Sequence, residues 1–152
     1  MNYKQITTLE LNDLTELFEQ YMAFYQQPSN PKRFREYLSQ RLESNEATVY
    51  IAYDSDAYPI GKPVGFVLNY HSFSSLSLGK VIVLNDLFVV PSARGKGVAR
   101  GLINCAIDLA KQTEAVCVDL GTAKDNLTAQ SLYEKIGFVK DTKYYSYSLS
   151  IS

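Results

Sequence analysis

Residues 80–99 read KVIVLNDLFVVPSARGKGVA, and this stretch decides the fold. Val81-Ile82-Val83-Leu84 and Leu87-Phe88-Val89-Val90 each suit a strand buried on both faces, because β-branched and aromatic side chains pack well on a pleated surface. Pro91 stops the strand, since proline has no N–H to give a ladder. From about Gly97 to Gln112 the period changes, and Leu102, Ile103, Cys105, Ala106 and Leu109 share one face of a helix. The segment is therefore a long strand, a glycine-rich turn and an amphipathic helix.

Two features interrupt that plain reading. Asn85 and Asp86 sit in the middle of the apolar strand, where a carboxylate is costly unless it is paired or hydrogen-bonded. A polar pair there marks a place where function competes with packing; the structural alternative is a bulge that sends both side chains to solvent. The second feature is Arg94-Gly95-Lys96-Gly97-Val98-Ala99 at the helix start. Helix starts carry unpaired N–H groups and a positive partial charge, so they bind phosphate well. Gly95 and Gly97 let a phosphate reach the backbone, and Arg94, Lys96 and Arg100 add charge, although a plain turn would look similar. The pattern G-x-x-x-x-G-K-[S/T] is absent, which excludes a triphosphate P-loop.

Working outward, Met1–Thr7 reads as a first strand. Leu11, Leu14, Leu17, Phe18, Tyr21 and Phe24 then recur at helical spacing to about Tyr25. Asn30-Pro31 is a helix start, a capping side chain followed by the residue whose missing N–H costs nothing there, and this helix runs to about Glu43. Thr48–Tyr53 and Val64–His71 read as antiparallel strands across a turn holding Asp54, Asp56, Pro59 and Gly61. Ser72–Ser77 reads as a mobile loop. Downstream, Ala115–Leu120 is a fifth strand, Asn126–Ile136 a last helix closed by Gly137, and two strands finish the chain. The expected architecture is mixed α/β: a mostly antiparallel sheet of six to seven strands, a parallel pair around the central crossover, and flanking helices.

The chain has 152 residues, about one domain by the usual range of roughly 100–200, with 46% hydrophobic and 20% charged residues, as in globular proteins. A net charge of −1 gives no electrostatic footprint for nucleic acid or an anionic membrane. No apolar run approaches the roughly 18 residues of a membrane helix, and Met1–Leu14 lacks the basic and apolar regions of a signal peptide, so a cytoplasmic protein is expected. Cys105 and Cys117 read as buried thiols, and His71, the one histidine, as a surface residue without the partners a metal site needs.

Here a resemblance enters. Arg94 to Ala99 matches the R/Q-x-x-G-x-G/A motif of the GNAT acetyltransferases, and Asn126, Ala129, Leu132, Tyr133, Gly137 and Phe138 resemble the family's N-x-x-A-x-x-L-Y-x-x-x-G-F element. The two motifs stand in the family's order and spacing, and with the early helices the likeness covers essentially the whole chain, as one domain of residues 1–152. Leu84-Asn85-Asp86-Leu87-Phe88-Val89 and Tyr144-Tyr145-Ser146-Tyr147 look most like the branch that acetylates polyamines and histone-type lysines.

The resemblance implies a cosubstrate, acetyl-CoA, and a set of roles with no metal among them. Arg94, Gly95, Lys96, Gly97, Val98 and Ala99 grip the pyrophosphate. The fourth and fifth strands splay, and backbone groups near Phe88 and Val89 receive the pantetheine arm and polarise the thioester carbonyl. Tyr133 donates to the departing thiolate, or is a core tyrosine bonded to a carbonyl. Asn126 caps the last helix or hydrogen-bonds the cofactor or a water. Many relatives carry a glutamate–aspartate pair in the strand; Asn85 stands at the first position and cannot accept a proton, which leaves Asp86 as the base, directly or through water, or as a structural carboxylate. The loop between the early helices walls the acceptor site in the family, so Tyr25 joins Asn85 and Asp86 as an expected acceptor-side residue. Tyr21, Phe24, Tyr25 and Tyr37 otherwise read as a core stripe.

The expected activity is transfer of acetyl directly to a primary amine of a small, polyamine-like molecule. The alternatives are acetylation of a protein lysine or N-terminus, and an acetyl-CoA sensor without turnover. Tyr145, Tyr147, Leu149 and Ile151 alternate sharply, so a homodimer paired through the closing strands is also expected.

Overall fold

The β-branched and aromatic runs become strands, and the amphipathic runs become helices, in a computed structural model that describes residues 1–55 and 61–152. In chain order these are β1 (Asn2–Gln5), α1 (Leu11–Phe24), α2 (Pro31–Glu43), β2 (Ala47–Asp54), β3 (Lys62–Ser74), β4 (Gly79–Val89), α3 (Val98–Gln112), β5 (Cys117–Leu120) and α4 (Leu127–Ile136). Asp56 and Pro59 of the expected turn lie outside the described residues. The chain divides into two units, Met1–Leu120 and Gly121–Ser152.

In the first unit a five-stranded sheet runs in the order β1-β2-β3-β4-β5. The pairs from β1 to β4 are antiparallel, and β4 pairs with β5 in parallel. Successive side chains on β3 point to opposite faces, and this assigns the helices their sides. Phe66 turns its ring to Phe18 of α1, 6.1 Å between centroids, and a Cβ built on the adjacent Gly65 would lie 3.3 Å from Leu102 Cδ1 of α3. The core is thus two layers, one on each side of the sheet. Leu14, Leu17 and Leu38 fill the α1–α2 side, and Leu102, Ile103 and Ala106 belong to the buried face of α3. Burying each large apolar side chain contributes about 1.5–3 kcal/mol.

Local signals fix the element ends. Asn30 Oδ1 accepts from the Arg33 amide at 3.2 Å, with Pro31 in the first turn of α2. Before α1, Thr7 and Glu10 form a capping box around a short 3-10 turn.

Several expectations need correction. The described residues hold five strands, not six to seven, because residues 138–152 form none. Alternation alone does not make a strand; its N–H and C=O groups must also find a ladder partner. The parallel pair therefore stands at the end of the ladder and not at its centre. Ser72–Ser74 belong to β3, paired with Val81, Lys80 and Gly79, so only residues 75–78 make the turn of this hairpin. Cys117 is exposed: on the last strand of the ladder its thiol stands beside Asp119, 3.6 Å from Oδ1. Cys105 is half-buried. Phe24, Tyr25 and Tyr37 are exposed, so the aromatic stripe leaves the core after Phe18.

The second unit consists of α4 and the residues around it. Asn126 Oδ1 accepts from the Ala129 amide at 3.2 Å, and Gly137, at φ +123°, closes the helix.

Candidate functional site

One extra residue in β4 creates the site. Leu68 pairs with Asp86, but the next residue, Asn69, pairs with Leu84, so Asn85 has no partner and bulges. Paired residues share a face, which puts Val83, Asp86 and Phe88 together on the side of α1 and α2, opposite Tyr70, Leu68 and Phe66. In a regular strand Val83 and Asp86 would face opposite ways. The bulge thus turns the carboxylate to the helix side of the sheet, and Asp86 is only 9% exposed there.

Asp86 is held from two directions. The Tyr21 hydroxyl donates to Oδ1 at 2.7 Å, and Asn85 Nδ2 donates to Oδ2 at 3.1 Å. A carboxylate offers about four lone-pair sites, so two remain to receive a further donor. The Tyr21 ring is fixed edge-on against Phe66 and Phe88, with centroids at 5.7 and 6.1 Å. Burial, and then the hydrogen bond to Asp86, push the Tyr21 hydroxyl well above the usual tyrosine range, so it remains a donor at neutral pH. Tyr70 is pushed up as well, first by burial and then by its hydroxyl contact with Tyr37 at 2.5 Å.

These groups line a cavity of about 530 Å³, a size typical of small-molecule sites. Tyr21 comes from α1, Arg33 and Tyr37 from α2, Tyr70 from β3, and Asn85 and Asp86 from β4. Phe18 and Phe34 supply apolar wall, and Gln27 and Pro28 of the α1–α2 connector complete it. Tyr25 is not among the lining residues; its ring packs edge-on against Tyr21, 4.9 Å away, and is 53% exposed.

A second region begins on the same strand. β5 ends at Leu120, opposite Leu84, whereas β4 continues to Val89. From Asp86 to Val89 the backbone therefore has a ladder partner on its β3 side alone, among the described residues. Beyond Pro91–Ala93, a single 3-10 turn, the chain reaches Gly95 at φ +76° and Gly97 at φ +80°. These are left-handed conformations that glycine adopts without penalty. No side chain caps α3, and a Cβ at either glycine would meet nothing within 4 Å. The first N–H groups of the helix thus lack a capping side chain, which suits them to a phosphate. Lys96 and Arg100 stand beside it. Arg94 Nε donates to the Val89 carbonyl at 2.9 Å, and the guanidinium lies 5.5 Å from the Phe24 ring centroid and 5.9 Å from that of Phe88. Val98, by contrast, is buried.

Of the expected residues, Asn85 and Asp86 meet at the cavity, while Phe88, Val89 and Arg94 to Ala99 meet along the strand and helix start. In the second unit, Asn126 caps α4, and the Tyr133 ring packs on Phe138, centroids 5.9 Å apart. Tyr21, Arg33 and Tyr70 were not expected as site residues. Tyr21 was visible only as part of the aromatic stripe, and no sequence signal separated Arg33 from the other charges of α2. Among the described residues no group of three or more His, Cys, Asp or Glu side chains is placed to hold a metal ion, and no helix is long and apolar enough to cross a membrane.

Comparison with known proteins places this geometry among relatives. The profile of the acetyltransferase (GNAT) family matches residues 13–138. A Bacillus subtilis (strain 168) protein named as an uncharacterized N-acetyltransferase, YhfO, is 39% identical over 99% of this chain and 98% of its own length. The D-amino-acid N-acetyltransferase HPA3 of Saccharomyces cerevisiae is 32% identical over 62% of this chain and 57% of its own. A crystal structure of a probable acetyltransferase, also 39% identical, superposes with a TM-score of 0.91 over 100% of this chain and 99% of that one.

Proposed function

The chain belongs to the GNAT family and is an N-acetyltransferase with acetyl-CoA as its cosubstrate, and on that premise we propose that it transfers acetyl directly to the primary amine of a small molecule bound in the cavity at Asp86. The observation that carries this reading is the bulged, buried and doubly hydrogen-bonded Asp86, which faces a cavity from the same strand that leads to the uncapped start of α3.

The residues fit the cosubstrate. Arg94, Gly95, Lys96, Gly97, Val98 and Ala99 hold its pyrophosphate through backbone N–H groups and side-chain charge. The strand edge from Asn85 to Val89 takes the pantetheine arm; because the Val89 carbonyl already accepts from Arg94, that contact falls to the remaining backbone groups of Phe88 and Val89. Acetyl-CoA, when bound, supplies the acetyl thioester. An alkylamine, with a pKa of about 10.4, arrives protonated, and Asp86 accepts its proton directly or through a water. Tyr133 donates to the departing thiolate, and Asn126 supports the cofactor side while capping α4. Tyr25 backs Tyr21 on the acceptor side.

The acceptor expected from sequence is polyamine-like, and Asp86 is the one carboxylate among the cavity's lining residues, sufficient for one ammonium. A small acceptor agrees with the yeast relative, which is named for a D-amino acid. In this reading residues 1–152 act as one cytoplasmic acetyltransferase domain. The protein pairs as a homodimer through its closing segment, where Tyr145, Tyr147, Leu149 and Ile151 are all exposed.

Free-thiol release from acetyl-CoA over a panel of amines tests the proposal. Asp86→Asn should lower kcat by about 10²–10⁴-fold while calorimetry finds acetyl-CoA binding kept. Wild-type turnover in the variant rules Asp86 out as the base.

A further inference from the structure

We propose that Arg33 is the anion-reading end of the acceptor cavity, so that the amine accepted there also carries a carboxylate. This deepens the acetyl-transfer reading and rests on it.

The cavity is electrically polar. Among its lining residues Asp86 is the one carboxylate and Arg33 the one cation. Asp86 is buried and fixed by Tyr21 and Asn85, whereas Arg33 is exposed, so the negative end lies deep and the positive end at the mouth. Apolar and aromatic wall from Phe18, Phe34 and Tyr37 belongs to the same cavity. A ligand that matches this surface has an ammonium at one end, an apolar body, and an anion at the other.

Arg33 has no structural employment that explains it. No ion pair or side-chain hydrogen bond engages its guanidinium among the described residues, whereas Arg41 pairs with Glu46 and Lys4 with Glu10. The amide of Arg33, not its side chain, is the group bound by Asn30. The residue lies in the first turn of α2, which contains no acidic side chain, and there a cation opposes the helix dipole. A guanidinium suits a carboxylate because its planar fork gives two parallel N–H bonds to the two oxygens. The same charge works against a polycation: with one ammonium on Asp86, a second ammonium towards the mouth meets Arg33.

The test uses matched pairs of amines, an amino acid and the same amine lacking its carboxylate, with a linear polyamine as a third arm, all read by thiol release. For wild type, kcat/KM should favour the carboxylate member by about tenfold or more. Arg33→Gln should bring that ratio close to one, and Arg33→Lys should restore part of it. In parallel, calorimetry titrates an N-acetylated amino acid into the wild-type protein and Arg33→Gln in the presence of CoA; saturable binding should be lost in the variant. Thiol release with amines but a ratio near one, a ratio unmoved in Arg33→Gln, or preferred use of the polyamine overturns this proposal and leaves the acetyl-transfer reading standing. Thiol release with no amine at all overturns the acetyl-transfer reading instead. The calorimetric arm then decides Arg33: binding lost in the variant supports the site, and equal binding removes it.

Discussion

Arg94 connects parts of the molecule that the sequence alone keeps separate. Its Nε occupies the Val89 carbonyl, and its guanidinium sits near the Phe24 and Phe88 rings, so a residue of the phosphate-binding turn also touches the end of α1. Charge-assisted hydrogen bonds of this type commonly contribute about 1.5–3 kcal/mol when well formed. Arg94→Ala should therefore weaken acetyl-CoA binding by about tenfold or more in calorimetry while the far-ultraviolet circular dichroism stays that of the wild type. Unchanged affinity would remove Arg94 from the cofactor site. Single residues differ in how readily the sequence announces them. Asp86 stood out because a charge inside an apolar strand violates packing. Arg33 did not, because a charge on a polar helix face is ordinary until a cavity is seen beside it. The Tyr21 hydroxyl bond to Asp86 joins residues 65 positions apart, a distance over which local pattern carries no information.

Elements were legible where a side chain states the boundary. Asn30-Pro31 marks the start of α2 to the residue, and Gly137 the end of α4, because capping chemistry is local. The closing strands were misread because pairing is not local: the alternation of Tyr145, Tyr147, Leu149 and Ile151 satisfies one condition for a strand, and a ladder partner is the other. The turn into α3 makes the strongest prediction at this scale. Gly97 is the N-cap in a left-handed conformation, with open space where a Cβ would stand. Gly97→Ala therefore meets no clash, and its cost is the backbone penalty alone, about 1–2 kcal/mol. Denaturant unfolding should show that loss. If relaxation moves the loop towards a right-handed conformation, the uncapped N–H groups turn with it, and acetyl-CoA affinity should fall in the same variant. A variant equal to wild type in both measurements means the left-handed turn is not needed.

Across the first unit, Tyr21, Tyr53 and Tyr70 each have a bound hydroxyl: Tyr21 and Tyr53 donate to Asp86 and Asp13, and Tyr70 meets Tyr37. Burial first, and these partners next, push all three well above the ordinary tyrosine range. The sign follows from linkage: a group that holds its proton more tightly when folded contributes fully below its unfolded value, near 10, and the contribution is lost as pH rises past it. The denaturant midpoint should therefore carry no tyrosine-dependent slope between pH 7 and 9 (roughly the range in which all three stay protonated) and should fall above about pH 10. Tyr53→Phe should flatten that fall; an equally steep fall in the variant would place its cause elsewhere. The bulge at Asn85 has a consequence of another kind, for how this chain tolerates insertion and deletion. Side-chain direction along a strand is a count of odd and even, and Asn85 is the residue at which the count resets. Removing Asn85 would leave Val83, Asp86 and Phe88 all on the face they now occupy. Removing Leu87 would force either Asp86 or Phe88 through to the other side of the sheet, and with it either the acid or the aromatic floor beneath Tyr21.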